Sequence, residues 1–247
     1  LTKSEEYRKE LNKLSNWDDY LRKASGLPGP RGNLELAQIV VDEGNQDLFE
    51  RYLLLTPEKA PENTQDVFLA FCAVVGLGRL VAEGKRKYLL PLHKLASDPR
   101  WRIREGVAMA LQRLGDKDME LLLDEMDHWS KGGPLEQRAA AAALCEPRLL
   151  KKEEYAKKAL KILDAITSSI SKQNDRKGDE FIALRKGLGY CWSVAVVASP
   201  AYGKDLMEKW IISEDKDIRW IMKENLKKNR LMRCDVKWTK KMVQKLV

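Results

Sequence analysis

Histidine is nearly absent from this sequence, with only His93 and His128 in 247 residues. That scarcity excludes a His-Glu-x-x-His helix and any Cys/His set at ligand spacing, so no metal site is expected. The four cysteines, Cys72, Cys145, Cys191 and Cys234, lie 43 to 73 residues apart in apolar or mixed stretches. They read as reduced residues of a cytosolic protein, not as a disulfide framework. No phosphate-cradling glycine loop is present. Gly76-Leu77-Gly78 and Gly187-Leu188-Gly189 fall inside helical patterns, where a missing side chain lets another helix approach. There is no nucleophile elbow, and no catalytic residue or cofactor motif emerges. Asp124, Glu125 and Asp127 read as a solvated acidic helix end. Long apolar runs are missing too: the longest, Val67 to Gly78, falls short of the about 20 residues of a membrane span. No charged start leads into an apolar signal segment, although a chain beginning at Leu1 leaves room for a removed leader. The expectation is a cytoplasmic monomer with no membrane contact.

What the chain has is charge, at 33% of residues, beside a hydrophobic content of 44% that suffices for a packed core. The net charge of +8 is uneven. Residues 1–146 carry 21 Lys and Arg against 24 Asp and Glu, whereas residues 147–247 carry 24 against 13. A basic half favours polyanions or acidic protein surfaces, while part of it, such as Lys157, Lys158 and Lys161, also fits an ordinary solvated helix face.

Helix-start signals recur throughout: Ser4, Asn16, Asn33, Asn45, Thr64, Asp98-Pro99, Asp116, Gly133-Pro134, Lys152, Asp179, Pro200, Asp215 and Asp235. Lys85 to Ser97 forms a further helix, and Ser168 to Gly178 is the most linker-like loop. No sustained alternation of β-branched residues exists, so no sheet is expected. The fold class is all-α, about fourteen helices in a single domain over 1–247.

One pattern repeats in register. Ile103-Arg104 is followed by Val107 and Leu111, Leu184-Arg185 by Leu188 and Trp192, and Ile218-Arg219 by Met222 and Leu226. Arg138 with Ala141 and Cys145 is a weaker copy. The arginines are 34, 47 and 34 residues apart, as two-helix units with variable loops would give. Leu89, Leu92 and Leu95, and likewise Leu206, Met207 and Trp210, form apolar seams on the preceding helices. The segment LHKLASDPRWRIREGVAMALQRLG resembles a HEAT repeat, well over 89–115, fairly over 206–230 and weakly over 121–146 and 160–197. The resemblance implies a right-handed α-solenoid of stacked antiparallel helix pairs, whose second helices line a surface for protein or nucleic-acid partners.

Within that frame the candidate binding residues are Trp101, Arg102, Arg104, Arg138, Arg185, Lys186, Arg219, Trp220 and Lys223. A row of guanidiniums suits a polyanion, and aromatics among basic residues can stack on bases. The competing expectation is structural. Arg104, Arg138, Arg185 and Arg219 can pair with acidic residues such as Asp98, Asp116 and Asp217, Trp192 fills the core, and Trp101 and Trp220 fit either role. The leading functional expectation is a non-enzymatic scaffold engaging a protein or nucleic acid, DNA ahead of RNA. The alternative is a DNA-repair enzyme, since the chain is similar in size and basic, tryptophan-rich character to the HEAT-like alkylpurine DNA glycosylases. That similarity implies a cationic groove with tryptophans and one carboxylate, of which Asp98, Glu105 and Glu136 are nearest here, while Trp17-Asp18 lies in the first helices.

Overall fold

In the computed structural model, which describes residues 2–246, the chain is all-helical: among the described residues there are fifteen α-helices, two 3-10 turns and no strand. It divides into two compact units, Leu1–Leu114 and Gly115–Val247.

The first unit contains α1 (Lys3–Leu11), α2 (Asp18–Ala24), α3 (Leu34–Glu43), α4 (Gln46–Leu53), α5 (Gln65–Ala82), α6 (Leu89–Leu95) and most of α7 (Trp101–Lys117). A 3-10 turn at Arg86–Tyr88 leads into α6. Helix α5 is the hub, packed by α2, α3, α4 and α6. Every residue from Val67 to Gly78 is buried, as its apolar circumference demands. Glycine makes its crossing with α7 possible: a Cβ on Gly78 would lie 2.2 Å from the Ala110 carbonyl oxygen.

The second unit contains α8 (Met119–Trp129), α9 (Pro134–Leu144), α10 (Glu153–Ser169), α11 (Asp179–Ala198), α12 (Pro200–Ile211), α13 (Lys216–Leu226), α14 (Asn229–Cys234) and α15 (Val236–Lys245). Here α11 is the hub, flanked by α9 and α13 and also touching α10, α12 and α14. Trp192 is fully buried on it and donates from Nε1 to Thr167 Oγ1 at 3.0 Å. Both α5 and α11 are long and apolar enough to cross a membrane, with 78% and 56% of those stretches buried inside the protein. Counting uninterrupted apolar residues misses both, because α5 includes Arg79 and α11 includes Arg185 and Lys186.

The repeated apolar positions behave as the spacing predicts: Ile103, Val107, Leu111, Leu184, Leu188, Ile218, Met222 and Leu226 are all buried. Asn33, Asn45, Asp215 and Asp235 cap their helices through the side chain, and Pro134 and Pro200 open theirs. Four starts differ. Thr2, not Ser4, caps α1, because Glu5 reaches back to complete a capping box. Asn16 accepts from the amide of Asp18 one residue ahead of the N-cap position. Asp118, not Asp116, caps α8, since α7 runs on to Lys117 and Asp116 is held by Arg148. Asp98-Pro99 precedes α7 by two residues because the Asp98 carboxylate is taken by Arg100.

Candidate basic face and apolar cavity

Three arginines of the repeat, Arg104, Arg185 and Arg219, are fastened to nearby backbone or carboxylate oxygens. Arg104 donates from Nη1 to the carbonyls of Asp98 and Pro99, at 2.6 and 2.8 Å, tying α7 to the turn that precedes it. The Asp98 carboxylate itself belongs to Arg100, bound at 2.9 and 2.7 Å, and Arg100 also donates to the carbonyls of Leu55 and Ala60. That ion pair is buried and saturated, so removing either partner strands the other, at a cost of about 3–5 kcal/mol. Arg185 Nη1 donates to Asp217 Oδ1 at 2.6 Å, and Arg219 Nη2 to the Leu246 carbonyl at 2.7 Å. Arg138 is half-buried on α9, with its Cγ 3.3 Å from where a Cβ on Gly187 would sit.

Asp217 anchors a network that sequence spacing does not show. Its second oxygen accepts from Arg176 Nη1 at 3.2 Å, while the same nitrogen reaches Asp215 Oδ2 at 2.7 Å and Nη2 reaches the Ile170 carbonyl. The linker-like stretch 168–178 is thereby pinned by its own arginine. Burial works to raise the Asp215 carboxyl, but Arg176 and the amides of Ile218 and Asp217 outweigh it and hold it below the usual carboxylate range.

Around that network lies a face of cations and aromatics. On α13, Lys216, Arg219, Trp220 and Lys223, with Lys227 at its C-cap, sit opposite the buried Ile218, Ile221, Met222 and Asn225. Arg185 stacks on the Trp220 ring, 4.5 Å from its centroid. Lys186 and Tyr190 are exposed on α11, and Arg230 both stacks on Tyr190 at 4.5 Å and donates to its hydroxyl. On α15, Lys237, Lys240 and Lys241 fall opposite the buried Thr239 and Met242.

Residues 216–245 hold eleven Lys and Arg against three carboxylates, and all three are engaged. Asp217 is bound as above, Glu224 holds Lys227, and Asp235 holds Lys204 while accepting from the Trp238 amide. Among the described residues, Lys216, Lys223, Arg233, Lys237, Lys240 and Lys241 are exposed with no ion-pair partner. Of the nine residues the sequence nominates, Arg185, Lys186, Arg219, Trp220 and Lys223 therefore gather on α11 and α13. The lysines of α15 and Arg230 extend the face beyond those five, and the Lys237-x-x-Lys240-Lys241 spacing carries their signal in the sequence.

Trp101 and Arg102 lie elsewhere, in the first unit. Trp101 is 45% exposed and Arg102 stacks on it, 4.4 Å from the ring centroid. With Leu27, Leu34, Phe68, Phe71 and Met109 they line an apolar cavity of about 310 Å³, and Arg31 and Glu105 also border it. Glu105 stands one helical turn from Trp101. Among the described residues no group of three or more His, Cys, Asp or Glu is placed to hold a metal ion. No protein-family description matches the chain, and no curated protein or solved structure is measurably similar to it.

Proposed function

We propose that this chain is a non-enzymatic, HEAT-like binding module whose second unit engages nucleic acid, DNA in the first instance, through the basic face of α11, α13 and α15. In this reading its helix pairs stack as a right-handed α-solenoid, with α9, α11 and α13 as the second helices of successive repeats. The side-by-side packing of those three helices supports that arrangement. The observation that carries the binding reading is the charge surplus over 216–245, whose few carboxylates are already spent on internal partners. Unpaired, solvated ammonium groups along two helices suit a phosphate backbone, which rewards neutralisation by releasing counterions. Tyr190 adds a half-exposed ring beside them. The recurring arginines then position helices, and the lysines touch the ligand.

Affinity for a short labelled duplex, measured across salt concentrations, tests this. The logarithm of the binding constant should fall linearly with log salt, by about 0.9 for each phosphate contacted. Replacing Lys216, Lys223, Lys237, Lys240 and Lys241 by Ala should weaken all sequences alike and flatten the slope by roughly 4 to 5 if each contacts one phosphate. No binding at micromolar protein in low salt, or an unchanged slope in the variant, would refute it.

The alkylpurine glycosylase reading is favoured by one observation, that Trp101 and Glu105 border the same cavity. Release of methylated purine from alkylated duplex by the wild type, and not by Glu105→Gln, is what that reading requires.

A further inference from the structure

The cavity of the first unit has an apolar body and a cationic edge, and the two together define a ligand class. Its volume, about 310 Å³, is at the small end of the roughly 300–1,000 Å³ of ligand sites. Phe68, Phe71 and Trp101 give it aromatic walls. Arg102 is 7% exposed, so its guanidinium has left bulk water. Nη2 donates to the Gly29 carbonyl at 2.6 Å, and Nε stands 3.1 Å from Glu62 Oε1. Nε is buried without a hydrogen bond of its own despite that proximity, whereas Nη1 has no acceptor on the protein and stays open at the cavity. It lies beside Gly32 at the cavity wall, where a Cβ would sit 3.9 Å from it and 3.8 Å from the Phe68 ring. An open guanidinium nitrogen at the wall of an apolar cavity, with no protein acceptor, is a ready donor for an incoming anionic oxygen. Arg31, also at the wall, is exposed and makes no ion pair among the described residues.

We infer that this cavity is a binding site for a small amphiphilic carboxylate, an aryl or short acyl group buried among the aromatics with its anionic oxygens on Arg102 and Arg31. Glu62 already serves Arg102, and Glu105 has an interaction of its own, so neither takes up the idle donor. A planar guanidinium is the side chain best shaped to take two carboxylate oxygens. The inference stands apart from nucleic-acid binding, which belongs to the other unit.

Calorimetric titration of the full chain with 2-naphthoate, 2-naphthalenemethanol and 2-naphthylmethylammonium tests it. The acid should bind at least about tenfold more tightly than the alcohol or the ammonium, because only it forms charge-assisted hydrogen bonds to both arginines. Arg31→Glu, a surface change, should weaken the acid about tenfold and leave the alcohol unaffected. Met109→Trp should abolish binding by filling the cavity. Equal binding of acid and alcohol would reduce the site to an apolar hole, and preference for the ammonium would make Glu105 the recognising group. Either result overturns the inference, as does an Arg31→Glu variant that binds the acid unchanged or a wild type silent at millimolar acid.

Discussion

Helices α5 and α11 play the same part in their two units and are finished differently. Each is the longest helix of its unit, apolar over most of its length, with neighbours on several sides. Yet α5 buries nearly its whole circumference, whereas α11 leaves Lys186 and Tyr190 in water. A helix closed on all sides can only hold its neighbours together. One with an open stripe can also present chemistry, and unit two puts its basic and aromatic side chains on and beside that stripe. The first unit keeps its chemistry at the edge of the hub instead, in the cavity between Phe68 and Phe71 of α5 and Trp101 and Met109 of α7.

The glycines break or sharpen this contrast most strongly. At Gly78 an added Cβ meets the backbone of Ala110, with its oxygen at 2.2 Å and its Cα at 2.4 Å. Backbone cannot rotate away as a side chain can, so Gly78→Ala must part α5 from α7. The expected loss is about 3 kcal/mol or more, beyond ordinary overpacking. At Gly187 the nearest atom is the Cγ of Arg138, at 3.3 Å, on a flexible side chain. There the roughly 1 kcal/mol helix preference of Ala over Gly offsets the adjustment, and Gly187→Ala should fall within about 1 kcal/mol of wild type. Urea unfolding of the two variants measures both. Similar losses would mean that α11 is as closed as α5.

Much of this fold is legible in the sequence because burial is periodic and local. The aliphatic-arginine pairs mark core positions of α7, α11 and α13, and short polar residues mark caps within three residues of their targets. The candidate sites were harder to read because their partners are distant in sequence. Arg185 meets Asp217 across 32 residues, and Arg219 meets Leu246 across 27. Nothing in the local pattern of an arginine says whether it faces a carboxylate, a carbonyl or water. Asp98 illustrates the point: it lies six residues from Arg104 but gives Arg104 only its carbonyl, because Arg100 takes the carboxylate. The cavity is less legible still, since Leu27 comes from a loop, Phe68 from α5 and Trp101 and Met109 from α7.

Acid should separate the units by a smaller margin, through Asp215 in one and Asp18 in the other. Both carboxyls are held below their usual range although burial pushes each upward: Arg176 and two amides act on Asp215, and Arg51 and Tyr52 act on Asp18. A carboxylate depressed in the folded state stabilises it above the unfolded pKa of about 4, and that stabilisation disappears as pH falls through the folded pKa. Arg176→Ala removes the largest depressing partner of Asp215, with a loss of about 1–2 kcal/mol at pH 6. The gap between variant and wild type should then narrow as pH falls below about 4 and through the folded-state pKa of Asp215, because the carboxylate becomes protonated in both. Arg51→Ala should show the same trend at about half the size, because Arg51 is 48% exposed and the Tyr52 hydroxyl still donates to Asp18 at 2.8 Å. Denaturant titrations at a series of pH values measure both gaps. If the Arg176→Ala gap stayed constant with pH, the hydrogen bond to the Ile170 carbonyl, which does not titrate, would be the part of Arg176 that holds the loop, and the carboxylate network would be ornamental to stability.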